Sequence, residues 1–150
     1  MRQRIARTSA APGKTRLANV YRVQRGAGAP RYLVDLPGYG YAGGNADEFR
    51  GLATDAVQRT GAALLIVDAR HPGLEADRAA WRWLTEAAAA SVGRRAIVAN
   101  KIDKLSRAER LRAIREFEAV FDHPVSAVSA DTGEGLDELW KLIDRVANNP

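Results

Sequence analysis

Asn100-Lys101-Ile102-Asp103 is an N-K-x-D tetrapeptide, and its residue types suit the edge of a guanine base. An aspartate can accept two hydrogen bonds, from guanine N1–H and from the exocyclic N2–H₂. Adenine offers no such pair of donors, so a carboxylate left unpaired against it would reject it. The lysine stem can lie over the base or brace a neighbouring loop, and the asparagine can tie base N7 to the adjacent backbone. Ser129-Ala130 follows Asn100 by 29 residues, and the Ala130 N–H could meet guanine O6. Taken alone, the tetrapeptide also reads as a polar turn and cap after a strand, with no ligand.

A second element lies 65 residues upstream. Asp35-Leu36-Pro37-Gly38 fits D-x-x-G. There the aspartate would hold Mg²⁺, through water, and the Gly38 N–H would meet a γ-phosphate that any side chain would block. The alternative is a Pro-Gly turn closing a strand. The Gly-x-x-x-x-Gly-Lys-Ser/Thr loop that should precede both elements does not occur in the sequence. Gly13-Lys14-Thr15 imitates its end, but the first glycine should then fall at Thr8, and no apolar strand comes before it. Thr15 is better read as a switch threonine, whose hydroxyl coordinates Mg²⁺ when the γ-phosphate is present.

These groups need a scaffold. Leu17–Val23 and Tyr32–Leu36 read as an antiparallel pair around a Gly26–Pro30 turn. Asp47–Arg59 has helical composition. The apolar run Ala62–Val67 predicts a strand buried on both faces, and Ala96–Ala99 another. Leu74–Ala90 is an Ala-rich helix with Trp81 and Leu84 on one side. Ser106 and Glu109 form a capping box for a helix to about Phe121. Val125–Val128 is a short strand, and Leu136, Leu139, Trp140 and Ile143 mark a last amphipathic helix. Strands alternating with helices give a three-layer α/β sandwich with a mainly parallel sheet. Its ligands belong at the carboxyl ends of the strands. Asp35, Asp68, Asn100 and Ser129-Ala130 all fall there, on what should be one rim. Trp81, Trp83 and Trp140 read as packing residues.

At 150 residues the chain is expected to be a single domain, 1–150. It has no cysteine, so disulfides and thiolate metal sites are excluded. No apolar run approaches the ~20 residues of a membrane span. A cytoplasmic protein is the expectation. Residues 1–34 carry eight basic side chains and no acid, whereas the remainder nets −3. A segment of one sign suggests a polyanion partner, nucleotide phosphate or RNA, or else a solvated arm. No set of aromatics is interleaved with the arginines.

The order ARTSAAPGKT, VDLPGYGYA, VDARHP, NKIDKLS, SADTGEGLDELW resembles the EngB (YihA/YsxC) family of bacterial ribosome-assembly GTPases over nearly the whole chain. The resemblance implies a P-loop GTPase-like fold that lacks its first strand and P-loop here, the chain starting inside the following helix with about 20 to 40 residues missing. It implies GTP/GDP as ligand through Thr15, Asp35, Leu36, Pro37, Gly38, Asn100, Lys101, Asp103, Ser129 and Ala130. Mg²⁺ would sit on Thr15 and Asp35. It also implies a monomer acting on the large ribosomal subunit or its rRNA, with a part in cell division and septation. No catalytic residue is assigned: Tyr39 stands where related enzymes place a water-orienting glutamine. The family hydrolyses GTP, but without the P-loop this chain is expected to be weak or inactive. The family often has threonine at Asn100, and the stretch after Tyr41 lacks an expected tryptophan. Two other classes stay open: a nucleotide-free pseudo-GTPase that binds rRNA, and a protein-interaction domain without a ligand.

Overall fold

The computed structural model describes residues 18–26, 28–36, 46–60, 62–87 and 94–148. The chain divides into two compact units, residues 1–56 and 57–150.

In the first unit, β1 (Asn19–Val23) and β2 (Arg31–Asp35) form an antiparallel hairpin. Gly26, with φ +53, lies in the connection. The register sets Val20 against Val34 and Arg22 against Tyr32 on one face, and Tyr21 against Leu33 on the other. Val20 and Tyr32 are each 63% exposed. Helix α1 (Ala46–Thr60) crosses from this unit into the next.

The second unit is built on a parallel sheet in the order β3 (Ala63–Asp68), β4 (Arg95–Asn100), β5 (Val125–Ala127). Helices α2 (Glu75–Ala87), α3 (Arg107–Phe121) and α4 (Leu136–Asn148) alternate with the strands. In β4, residues Ala96 to Ala99 are all buried, so both faces of the central strand are covered. Helices α2 and α3 touch each other, and α4 packs on β4. Trp81 of α2 meets Phe121 of α3 edge-on at 6.1 Å, and Phe117 stacks on Phe121 at 6.0 Å. Trp81 is therefore the packing residue its helical position suggested, with the Arg95 guanidinium over its ring at 5.3 Å.

Local sequence accounts for the boundaries. The Ser106 Oγ accepts from the Glu109 N–H, and a Glu109 carboxylate oxygen accepts from the Ser106 N–H at 2.7 Å, completing the capping box that starts α3. Asp122, in the left-handed region, ends that helix. One expectation fails. Strand β3 is not buried on both faces: Leu65 and Val67 are 5% and 3% exposed, but Ile66 between them is 57% exposed. An unbroken apolar run allows two-sided burial without requiring it, and here only the Leu65–Val67 side reaches the core.

Candidate guanine-recognition site

The carboxyl ends of the parallel strands carry the candidate groups of the second unit. Asp68 and Asn100 are register partners at the ends of β3 and β4. The ladder runs on past them, with Ala69 N–H donating to the Asn100 carbonyl at 2.8 Å. On the other side, Val128 N–H donates to the Ala99 carbonyl at 2.9 Å, which brings Ser129 and Ala130 beside Asn100. Three of the four strand ends named from the sequence thus share a rim. The fourth, Asp35, ends β2 in the other unit. It is exposed, and Leu36 beside it is half-buried. Thr15, Pro37 and Gly38 lie outside the described residues, as do Gly13-Lys14 and Tyr39.

Asn100 acts as a brace. Its Oδ1 accepts from the Lys101 N–H at 2.8 Å and from the Ala130 N–H at 3.0 Å. The Ala130 donor expected to face a ligand is thus engaged by a side chain of the same rim.

Asp103 sits in a short 3₁₀ turn, Ile102–Lys104, anchored by buried Ile102. Ile102 N–H donates to the Val128 carbonyl at 3.3 Å. The Asp103 side chain is only 10% exposed. Its Oδ1 accepts from Ser129 Oγ at 2.7 Å, and its Oδ2 pairs with Lys104 Nζ at 2.7 Å. Lys104 first, then Ser129, holds the carboxyl below the usual range, so it is ionised and purely an acceptor at neutral pH. Each oxygen has two lone-pair sites, so both keep capacity for a further donor.

Ser129 is completely buried. Its Oγ also accepts from the Thr132 N–H at 3.0 Å, so it shapes its own loop while steadying Asp103. Gly135, with φ +77, lets that loop turn into α4 close against Ala127 and Val128. Arg110 of α3 pairs with Glu134 at 2.6 Å, and Lys104 reaches Asp131 at 3.4 Å.

Lys101 has a different partner from a base. Its backbone is left-handed (φ 70, ψ 31), and its Nζ donates to Asp68 Oδ2 at 2.8 Å. Arg70 forks onto the same carboxylate, from Nε to Oδ1 at 2.9 Å and from Nη2 to Oδ2 at 2.6 Å. Sequence reasoning marked Asp68 as a strand end but did not assign it, Arg70 or Lys104 to the site. The signal available was the D-x-R spacing of Asp68 and Arg70.

The arrangement is an ionised, largely buried acceptor at the strand ends of a parallel α/β sheet, held between two stapled loops. These are the groups that the sequence singled out as candidates for reading a guanine base. The chain's nearness to solved GTP-binding proteins is measurable. The structure of Era in complex with MgGDPNP and a 16S ribosomal RNA segment superposes with a TM-score of 0.78 at 22% identity, over 95% of this chain and 48% of that one. This chain thus spans about half the length of Era. A crystal structure of a probable GTP-binding protein EngB gives 0.61 at 16% identity, over 86% and 83%. A family model described as 50S ribosome-binding GTPase matches residues 1–101. The probable GTP-binding protein EngB of Chlorobaculum parvum is 40% identical, covering 95% of this chain and 74% of that protein. Its counterpart in Heliobacterium modesticaldum is 34% identical, over 95% and 71%. The chain belongs to the EngB family of GTP-binding proteins, and GTP or GDP is the ligand that membership supports.

Proposed function

We propose that this protein is a GTP/GDP switch that reads guanine through Asp103 and assists assembly of the large ribosomal subunit. One observation carries the nucleotide reading: Asp103 is ionised, almost buried, and held by Ser129 and Lys104 with acceptor sites to spare. A group prepared in this way discriminates by the penalty for leaving it unpaired. In this reading Lys101 lies along the base, Asn100 offers its amide N–H₂ to N7, and Ser129 and Ala130 close the edge. Thr15 and Asp35-Leu36-Pro37-Gly38 are assigned by motif order to Mg²⁺ and the γ-phosphate. Asp35 supplies the hard carboxylate oxygen that Mg²⁺ prefers. Among the described residues no three carboxylate or imidazole groups cluster. Mg²⁺ commonly rests on one or two side chains together with phosphate oxygens and water, as this assignment to Thr15 and Asp35 would have it.

The ribosomal partner has two supports. The matching family model is described as ribosome-binding, and Era, of similar fold, was solved with ribosomal RNA. The hairpin adds a surface suited to RNA: exposed Tyr32 lies opposite Arg22, within a segment that carries eight basic groups and no acid before Asp35. An exposed ring beside an arginine is a stacking platform with a phosphate partner. This same surface is what favours the second reading, an rRNA-binding module that works without nucleotide. No helix among the described residues is long and apolar enough to cross a membrane. A cytoplasmic monomer, needed for normal division and septation through ribosome supply, fits this role.

Titration of fluorescent GDP and XDP against the chain and its Asp103→Asn variant tests the proposal. The variant would set an amide N–H₂ against guanine N2–H₂, donor against donor, whereas xanthine carries an oxygen there. GDP affinity should fall by about a hundredfold or more while XDP binding improves. Equal GDP binding by both proteins would refute guanine reading through Asp103. GDP-independent, salt-sensitive rRNA binding with no nucleotide binding would favour the second reading.

A further inference from the structure

We propose that Asp68 is a positioning residue of the guanine-reading loop and acts through Lys101, an inference that rests on the guanine reading above. Lys101 occupies a left-handed backbone conformation, which a residue with a side chain adopts only where its surroundings hold it. Three bonds do so. The Lys101 N–H donates to Asn100 Oδ1 at 2.8 Å, the Lys101 carbonyl accepts from the Lys104 N–H at 3.1 Å, and Nζ reaches Asp68 Oδ2 at 2.8 Å. The first two lie within residues 100–104. The third leaves the loop and ties it to the end of β3, 33 positions away in sequence, whereas Ile102 N–H and Asp103 hold the same loop to Val128 and Ser129 after β5.

The anchor is itself immobilised. Arg70 gives Asp68 three donors: its backbone N–H at 3.1 Å, Nε at 2.9 Å and Nη2 at 2.6 Å. Both carboxylate oxygens are engaged, and the side chain is 21% exposed. Because Asp68 and Asn100 are register partners, the Lys101 side chain crosses from the end of β4 to the end of β3. The bond from Nζ to Asp68 fixes the far end of the Lys101 stem, and in the guanine reading its methylenes are the surface on which a planar base rests while Asp103 meets the base edge. A partly buried ion pair is a poor source of net stability compared with apolar contact. What the fork and the pair provide is geometry: one orientation of one lysine.

Asp68→Asn, Lys101→Ala and the double variant test this in the full chain, by amide hydrogen exchange and by GDP and XDP titration. Asp68→Asn should speed exchange at Ile102, Lys104 and Leu105 while Ile97–Ala99 of β4 stay protected. It should weaken GDP and XDP by the same factor, about tenfold, leaving their ratio unmoved because Asp103 is untouched. Lys101→Ala should then cost much less in the Asp68→Asn background than alone. Unaltered exchange, or full additivity of the two substitutions, would overturn the proposal. If the unsubstituted chain binds neither nucleotide, the guanine reading falls instead, and the exchange comparison still decides whether Asp68 orders this loop.

Discussion

Replacing Gly135 with alanine should damage the fold and the site together. The residue has φ +77, and an added Cβ would fall well inside contact distance of the Ala127 carbonyl oxygen and 3.3 Å from both Val128 Cα and Cγ1. Two costs arise. The left-handed backbone costs an L-residue about 1–2 kcal/mol. The collision is with backbone, which cannot swing aside as a side-chain tip can, and overpacking of this kind adds about 1–3 kcal/mol. The sum is about 2–5 kcal/mol. Gly73→Ala isolates the first cost within the same unit: its φ is +82, but its nearest neighbour is the mobile end of Arg78 at 3.2 Å. That variant should lose only about 1–2 kcal/mol. Urea unfolding followed by circular dichroism separates them. With a slope of about 2 kcal/mol/M, the midpoint should drop by about 1–2.5 M for Gly135→Ala and by about 0.5–1 M for Gly73→Ala. Because the displaced strand end leads directly into Ser129, GDP binding should weaken in the first variant and not in the second. Equal midpoints for the two variants would refute the steric argument.

Ser129→Ala removes a fully buried hydroxyl that serves Asp103 and the Thr132 N–H. It should cost about 1–3 kcal/mol in denaturant unfolding and weaken GDP binding, whereas Ser126→Ala, half-buried in β5, should spare the binding. Arg70, and after it Lys101, holds the Asp68 carboxyl below the ordinary carboxylate range. The unfolded chain therefore takes up that proton first. The stabilising contribution of Asp68 is whole above about pH 5 and shrinks as pH falls further. The stability gap between the protein and Asp68→Asn should accordingly narrow between about pH 5 and pH 3 in urea titrations, and a gap that widens there would contradict the assigned cause. For the hairpin, Tyr32→Ala should weaken binding to single-stranded RNA without changing its salt dependence, while Arg22→Ala should reduce the salt slope by about one. Filter binding at several salt concentrations distinguishes the two effects.

Much of the scaffold was legible because it is written locally. The Ser106/Glu109 box announced α3, the run Ala96–Ala99 announced the buried strand, and Leu136, Leu139 and Ile143 announced α4 by spacing alone. The motif residues Asn100, Asp103 and Ser129 were legible because their chemistry is specific and their strand-end positions repeat. What escaped depends on contacts between segments far apart in sequence. The Asp68–Lys101 pair exists only once β3 and β4 are in register. Tyr32 follows Arg31 in sequence, but alternation along the strand sets these two on opposite faces, and its same-face partner Arg22, ten residues away, comes only from hairpin pairing. The engagement of the Ala130 N–H by Asn100 likewise depends on where β5 ends. The exposure of Ile66 was illegible for the converse reason: sequence shows which residues are apolar, not which faces are covered.

The Asn100 brace limits how this protein could be rebuilt. One side-chain oxygen orders the turn after β4 and the turn after β5 at once, so these turns are not interchangeable modules. Grafting only residues 100–104 from a relative of different base preference would retain a partner shaped for the original sequence, and so would grafting only 128–135. Any exchange of nucleotide specificity has to carry both turns together, with Ala99 and Val128 kept in register between them.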